Sequence, residues 1–206
     1  MSTAGEGGMV LTDDEELWSK VWSFKDHGKS YERVHAKNHP EGFRWLHESI
    51  GTNFRMTEIQ AAVGRAQLLK LDGWVQTRRK HAAFINKAFA DIDCVRVVTP
   101  PANVWHSCYK HYVFVRPERL AAGWDRDRIL REFASAGIPA LSGACPEIYL
   151  EKAFADSVAR PATRLPTARE LGETSLQFLV HPTLTQEQVE QVVAVASRIL
   201  ARAQRS

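Results

Sequence analysis

Hydrophobic residues recur at helical spacing in several segments of the chain. The clearest pattern contains Met56, Ile59, Val63 and Ala66, which lie three or four positions apart. Thr57 and Gln60 fit a capping box, in which two side chains satisfy backbone N–H groups at the start of a helix. We therefore predict a helix from Glu58 to about Leu71.

Four further helices are predicted from apolar residues that share one face. They begin near a Thr12 and Glu15 capping box, at Trp74, at Asp125, and at a second capping box formed by Thr185 and Gln188. Residues 25–50 show no sustained period and contain Gly28, Pro40 and Gly42. This segment is predicted to be a long ordered loop, which in a compact domain is usually functional or covers an interface.

Alternating apolar and polar positions predict strands in the second half of the chain. The alternating residues are Val95, Val97, Tyr109, His111, Val113, Val115, Leu176, Phe178 and Val180. Because strands and helices alternate from residue 94 onward, we predict a small α+β domain there, behind a mainly helical first part. The predicted domains are 1–92 and 93–206.

Composition excludes several classes of protein. The chain has 27 Lys and Arg against 24 Asp and Glu, and these charges are interspersed, which argues against a nucleic-acid surface. No apolar run is long enough to cross a bilayer, and the first residues do not resemble a secretory signal. The three cysteines, Cys94, Cys108 and Cys145, have no paired spacing, so we expect free thiols and a cytoplasmic location.

Asn53 and Arg55 lie just before the predicted helix start at Glu58. Free backbone N–H groups and the helix dipole favour an anion such as phosphate at such a position, although most capped helices bind nothing. Two histidine groups, His106 with Cys108 and His111, and His35 with His39, lack a full set of ligands at zinc spacing. We therefore predict no metal site.

Three separated segments carry a family resemblance. They read GTNFRMTEIQAAVGRAQLLKLDGW from residue 51, FASAGIPALSGACPEIYLEKAF from residue 133 and LPTARELGETSLQFLVHPTLTQEQVEQVV from residue 165. In this order they resemble the signatures of the DegT/DnrJ/EryC1/StrS family of sugar aminotransferases, which use pyridoxal phosphate. The resemblance spans nearly the whole chain.

The resemblance implies an α/β fold of the fold-type I aminotransferase kind. Residues 1–92 would form the end of the large cofactor-binding domain with interface helices, and 93–206 the C-terminal small α+β domain. The family enzyme is a cytoplasmic homodimer that moves an amino group from a donor such as glutamate to a keto-sugar nucleotide. Membrane and nucleic-acid partners are not expected.

The resemblance also implies roles for three residues. Asn53 matches the asparagine that reaches the cofactor phosphate of the partner subunit. Arg55 matches an arginine that either pairs with the anionic part of the nucleotide-sugar or organises its loop. Tyr149 replaces a histidine whose loop approaches the sugar, so it either binds substrate or packs beside Phe154.

The family's cofactor-binding lysine lies a few residues before a turn that here reads Gly5-Glu6-Gly7-Gly8. It would therefore fall upstream of Met1, and no lysine of this chain takes its place. We hypothesise that the chain is the C-terminal half of a longer enzyme, is inactive alone, and exposes helix faces that pack on the other half. The alternative is a non-catalytic dimerisation or regulatory fragment.

Overall fold

The computed structural model describes residues 2–38, 41–42 and 45–205. These residues form two compact units, Ser2–Leu71 and Asp72–Ser206. The mixed helices and strands agree with the predicted α/β class. The predicted division of the chain into domains 1–92 and 93–206 stays a prediction.

The described residues of the first unit form three helices. They are α1 (Glu15–Lys25), α2 (Tyr31–His35) and α3 (Glu58–Leu68). The predicted capping box of Thr57 and Gln60 is present at α3. At α1 the cap is Asp14 instead of Thr12, because the Asp14 side chain reaches the N–H of Leu17 at 2.9 Å. The segment predicted as a loop contains α2, since Ser30 caps a short helical turn.

The first unit has little core of its own. Among its described residues, Leu46 is the sole buried hydrophobic side chain, and α1, α2 and α3 have no buried residue. The apolar face predicted for α3 is open to solvent, with Ile59 80% exposed. A segment of this size that buries so little apolar surface has a small hydrophobic driving force for folding.

The second unit combines a sheet with helices. Its elements are α4 (Leu71–Phe89, whose first residue belongs to the first unit), β1 (Val95–Val97), β2 (His111–Val115), α5 (Arg126–Ser135), β3 (Ala140–Leu141), α6 (Pro166–Thr174), β4 (Ser175–Phe178) and α7 (Gln186–Ala203). The strands form one antiparallel sheet in the order β1-β2-β4-β3. The second predicted capping box, Thr185 with Gln188, starts α7. Among the described residues, no helix has the length and apolarity needed to span a membrane.

Phe178 occupies the centre of this unit's core. Its ring lies 5.5 Å from that of Phe89 and 5.8 Å from that of Phe133, so the sheet packs against α4 and α5 through aromatic contacts. All three rings are at most 1% exposed. Burying one such side chain stabilises the fold by about 1.5–3 kcal/mol, so this cluster contributes much of the unit's stability.

His111 points into the same core. Alternate residues of β2 face inward, and this places His111 beside buried valines instead of solvent. Its Nε2 atom is buried and has no hydrogen-bond partner among the described residues. Burial, aided by the nearby His106, lowers the pKa of His111 to about 4. The imidazole is therefore neutral in the folded state at neutral pH.

This burial predicts acid sensitivity of the second unit. As the pH falls from the ordinary histidine pKa of 6.5 towards 4, the unfolded chain binds a proton at His111 and the folded chain does not. We expect this group to lower the free energy of unfolding by about 1.4 kcal/mol per pH unit across that window. His111→Leu should remove this part of the pH dependence in urea unfolding followed by circular dichroism.

Val113→Ala is the matched control, because it changes the same face of β2 without removing a titratable group. It should lower stability by an amount that does not vary between pH 6.5 and pH 4. His81, whose pKa is also lowered by burial, keeps its own contribution in both variants. An unchanged pH slope in His111→Leu would contradict the prediction.

Candidate functional site

Two glycines set the backbone of the site in the first unit. A Cβ atom added to Gly51 would lie 2.2 Å from the backbone nitrogen of Gly28, and one added to Gly28 would lie 1.8 Å from the carbonyl oxygen of Ser49. Gly28 also has a φ of +81°, which favours glycine. The two backbone segments approach this closely because neither glycine carries a side chain.

This approach lets the end of α1 pair with the segment before α3. The N–H of Thr52 donates to the carbonyl of Phe24 at 2.7 Å, and the N–H of Phe54 donates to the carbonyl of Lys25 at 3.0 Å. Asp26 and Asn53 pair across this short antiparallel bridge. The pairing places a carboxylate next to both residues that the sequence singled out.

Asn53 and Arg55 are in direct contact. The Oδ1 atom of Asn53 accepts hydrogen bonds from Nε of Arg55 at 3.2 Å and from the backbone N–H of Arg55 at 3.4 Å. Nη1 of Arg55 lies 3.5 Å from Oδ1 of Asp26, a carboxylate that is also 3.6 Å from Nζ of Lys29. Asp26 is buried, whereas Asn53 and Arg55 are exposed.

The N-terminus of α3 carries its own capping box. Oγ1 of Thr57 accepts the N–H of Gln60 at 3.3 Å, and Oε1 of Gln60 accepts the N–H of Thr57 at 3.1 Å. Nε2 of Gln60 donates to the carbonyl of Glu6 at 2.8 Å, which ties the Gly-rich turn to α3.

A cleft of about 1270 Å³ opens beside these residues within the first unit. Its walls are largely apolar and include Trp18, Trp22 and Met56. Three positively charged side chains, Lys20, Lys25 and Arg55, also line the cleft. Predominantly apolar walls with a few polar groups are typical of small-molecule sites.

Tyr149 belongs to the second unit, where it is part of a polar network. Its hydroxyl donates to Oε1 of Glu147 at 2.7 Å and accepts the N–H of Leu165, the N-cap of α6, at 2.9 Å. Arg164 binds both oxygens of Glu147. Hydrogen bonds from Arg164 and Tyr149 lower the pKa of Glu147 to about 2, while desolvation and the Glu147 contact raise the pKa of Tyr149.

The histidine groups considered for metal binding remain without a ligand set. Across residues 2–38, 41–42 and 45–205, no three His, Cys, Asp or Glu side chains are grouped to hold a metal ion. Nδ1 of His106 contacts Sγ of Cys108 at 3.4 Å and accepts the Cys108 N–H. His39 lies outside the described residues, so the pair His35 and His39 is not described. The three cysteines are unpaired.

Comparison with known proteins identifies the family. The sequence model of the DegT/DnrJ/EryC1/StrS aminotransferase family matches residues 1–196. The chain belongs to this family. The DegT/DnrJ/EryC1/StrS match confirms the resemblance of the three quoted segments.

Individual relatives agree with this assignment. The X-ray structure of the aminotransferase from Psychrobacter cryohalolentis is 46% identical, has a TM-score of 0.86, and is matched over 94% of this chain and 51% of that chain. The dTDP-3-amino-3,4,6-trideoxy-alpha-D-glucose transaminase of Streptomyces venezuelae is 30% identical over 92% of this chain and 44% of its own length. GDP-perosamine synthase of Escherichia coli O157:H7 is 27% identical over 91% and 45%.

The chain therefore spans about half the length of the DegT/DnrJ/EryC1/StrS relatives it matches. Its fold agrees with the fold-type I aminotransferases among the solved structures.

Sequence reasoning missed Asp26. The residue lies in the segment predicted as a loop, 27 positions before Asn53, and no local period marks it. The available signal is the pair of glycines, Gly28 and Gly51, which flank the pairing segments. A glycine can mark a position where two backbone segments come close together. It does not show which other segment approaches it, so the sequence alone could not pair Gly28 with Gly51.

Gly51→Ala should disrupt the site. Its Cβ would overlap backbone atoms of Gly28 and Phe24, which cannot move independently, so we expect a loss of about 1–3 kcal/mol in the free energy of unfolding of the first unit. Gly8→Ala is the control, because no atom lies within 4 Å of its added Cβ. Urea unfolding monitored by tryptophan fluorescence would measure both; equal stability of the two variants would contradict the close contact.

Tyr149→Phe should weaken the second unit. The change removes the acceptor of the Leu165 N–H and one donor to Glu147, so the midpoint of urea unfolding should fall. Tyr109→Phe is the matched control, since the Tyr109 hydroxyl has no hydrogen bond among the described residues and its ring contact with Arg78 is kept. A midpoint for Tyr149→Phe equal to that of the control would show that the network contributes nothing.

Proposed function

We propose that this chain is the C-terminal portion of a pyridoxal-phosphate-dependent aminotransferase that acts on a keto-sugar nucleotide, with an amino acid such as glutamate as donor. The family match supports the reaction class. Within the chain, the proposal depends most on the Asn53 side chain, whose oxygen is bonded to Arg55 and whose NH₂ group has no hydrogen bond among the described residues. An amide NH₂ can donate two hydrogen bonds to phosphate oxygens.

The residues around Asn53 fit a phosphate group. The cleft beside it exposes the ammonium groups of Lys20 and Lys25 and the guanidinium of Arg55, which attract an anion. Its one acidic lining residue is Glu6, whose carbonyl is bonded to Gln60. Bound pyridoxal phosphate would supply the electron sink for amino-group transfer. The role of this chain is to hold and orient that group.

Asn53 would serve the cofactor of a partner subunit in a homodimer, as the family resemblance implies. The family resemblance leaves two roles for Arg55, binding of the nucleotide-sugar or organisation of its loop. Tyr149 is proposed to approach the nucleotide-sugar. The contacts of Arg55 favour organisation of its loop, because Nε and Nη1 already face Asn53 and Asp26. The contacts of Tyr149 with Glu147 and Leu165 leave its ring as the part that would meet a sugar.

We propose that the covalent attachment of the cofactor requires a lysine outside this chain. Lys20 and Lys25 line the cleft, but Lys20 is paired with Glu16 at 2.5 Å and Lys25 lies over the Trp22 ring at 4.8 Å. Neither occupies the sequence position of the family lysine. The chain alone would then be inactive, and the enzyme would act in the cytoplasm when the cofactor-binding half is present.

The test compares this chain with a version extended through the upstream coding sequence. Each is incubated with pyridoxal phosphate and reduced with borohydride, and peptide mass spectrometry locates any modified lysine. We expect a pyridoxyl group on an upstream lysine, together with amino transfer to a keto-sugar nucleotide, in the extended version alone.

Two outcomes would contradict the proposal. Specific modification of a lysine within this chain, accompanied by amino transfer, would show that no external lysine is needed. Absence of cofactor binding and transfer in both versions would favour the alternative function, a non-catalytic dimerisation or regulatory fragment.

A further inference from the structure

We infer that Asp26 and Arg55 are positioning residues that fix the Asn53 amide with its NH₂ group towards the phosphate. The inference rests on the proposed function, because it concerns the group that Asn53 would bind. It assigns a role to Asp26, which the sequence did not single out, and it separates two roles that the sequence left open for Arg55.

The orientation of the Asn53 amide follows from the chemistry of arginine. A guanidinium and a backbone N–H are donors only, so the amide atom that faces them must be the oxygen. Both Nε and the backbone nitrogen of Arg55 lie within 3.4 Å of Oδ1 of Asn53. If the amide were rotated by 180°, the NH₂ group of Asn53 would face the two donor groups of Arg55, and neither hydrogen bond could form. Nδ2 of Asn53 therefore points away from Arg55.

Asp26 holds the other side of the guanidinium. The residue is 8% exposed, and its Oδ1 accepts no hydrogen bond among the described residues. A carboxylate in such a place needs nearby cations, and it has Nη1 of Arg55 at 3.5 Å and Nζ of Lys29 at 3.6 Å. The backbone pairing of Asp26 with Asn53 keeps both ends of this chain of contacts in register.

Together these contacts form a relay of carboxylate, guanidinium and amide oxygen. The competing role for Arg55 is direct binding of a ligand anion through Nη2, which has no hydrogen bond among the described residues. The side chain of Arg55 is 49% exposed, so both roles are sterically open. They differ in one respect: positioning makes the effect of Arg55 depend on Asn53, whereas direct binding does not.

The first measurement is the preference of the version extended through the upstream coding sequence for pyridoxal phosphate over pyridoxal. Tryptophan fluorescence follows binding, because Trp18 and Trp22 line the cleft. We expect Asn53→Ala to lose most of the preference, and Arg55→Lys and Asp26→Asn to lose about fivefold each. Arg55→Lys combined with Asn53→Ala should be no weaker than Asn53→Ala alone, since the two residues act as one unit.

Arg65→Lys is the matched control, because it makes the same substitution on the exposed surface of α3 and should leave the preference unchanged. Retention of the preference in Arg55→Lys and Asp26→Asn, with loss in Asn53→Ala, would overturn the inference and leave the proposed function standing. Losses from Arg55→Lys and Asn53→Ala that add in the double variant would assign Arg55 to direct binding and would also overturn it.

The second measurement needs no ligand. In a ¹H–¹⁵N NMR spectrum, the side-chain amide signals of Asn53 are identified by their loss in Asn53→Ala. We expect them to shift or broaden in Arg55→Lys and Asp26→Asn, while the Asn86 amide, which donates to the Val98 carbonyl at 3.0 Å, stays unchanged.

Unchanged Asn53 signals in both variants would overturn the inference. If the wild-type extended version binds both compounds without preference for the phosphorylated one, the assignment of Asn53 to the cofactor phosphate fails. The NMR result then still decides whether Arg55 and Asp26 orient the amide, so the two failures are distinguishable.

Discussion

The backbone contact between Gly28 and Gly51 is the constraint on which the candidate site depends. It brings the end of α1 against the segment before α3, and the resulting pairing sets Asp26 beside Asn53. A Cβ atom on either glycine would overlap backbone atoms of the facing segment. The polar contacts of Arg55 are therefore a consequence of two positions that carry no side chain.

The two units are stabilised by different means. The second unit buries aromatic and aliphatic side chains between a sheet and helices, so the hydrophobic effect accounts for its fold. The described part of the first unit has one buried hydrophobic residue, Leu46, and is organised by a capping box, backbone pairing and ion pairs. Such contacts define local geometry but contribute modest net free energy in water. The unit that carries the candidate site is thus the one with the weaker core.

Three polar groups show how neighbouring atoms change the chemistry of a side chain. Asp26 is a charged residue in a buried position, where its carboxylate needs nearby cations. It orients the guanidinium of Arg55. His111 is an ordinary strand residue that faces inward and stays neutral. Tyr149, which replaces a family histidine, is tied to Glu147 and to the start of α6. In each case the neighbours decide the role, since the residue type alone allows several.

The sequence by itself determined the helices that have strong caps and an apolar face, and the main strands, because these depend on contacts within a few residues. It also determined the free cysteines and the family, which depend on cysteine spacing and on motifs that follow one another in order along the chain. It placed Asn53 and Arg55 together before α3. Tertiary structure alone decided that Asp26 joins them from 27 positions away and that the short strand β3 pairs with β4. Such pairings bring distant segments together. The free energy that favours them comes from contacts between those segments, so no local pattern of residues predicts them.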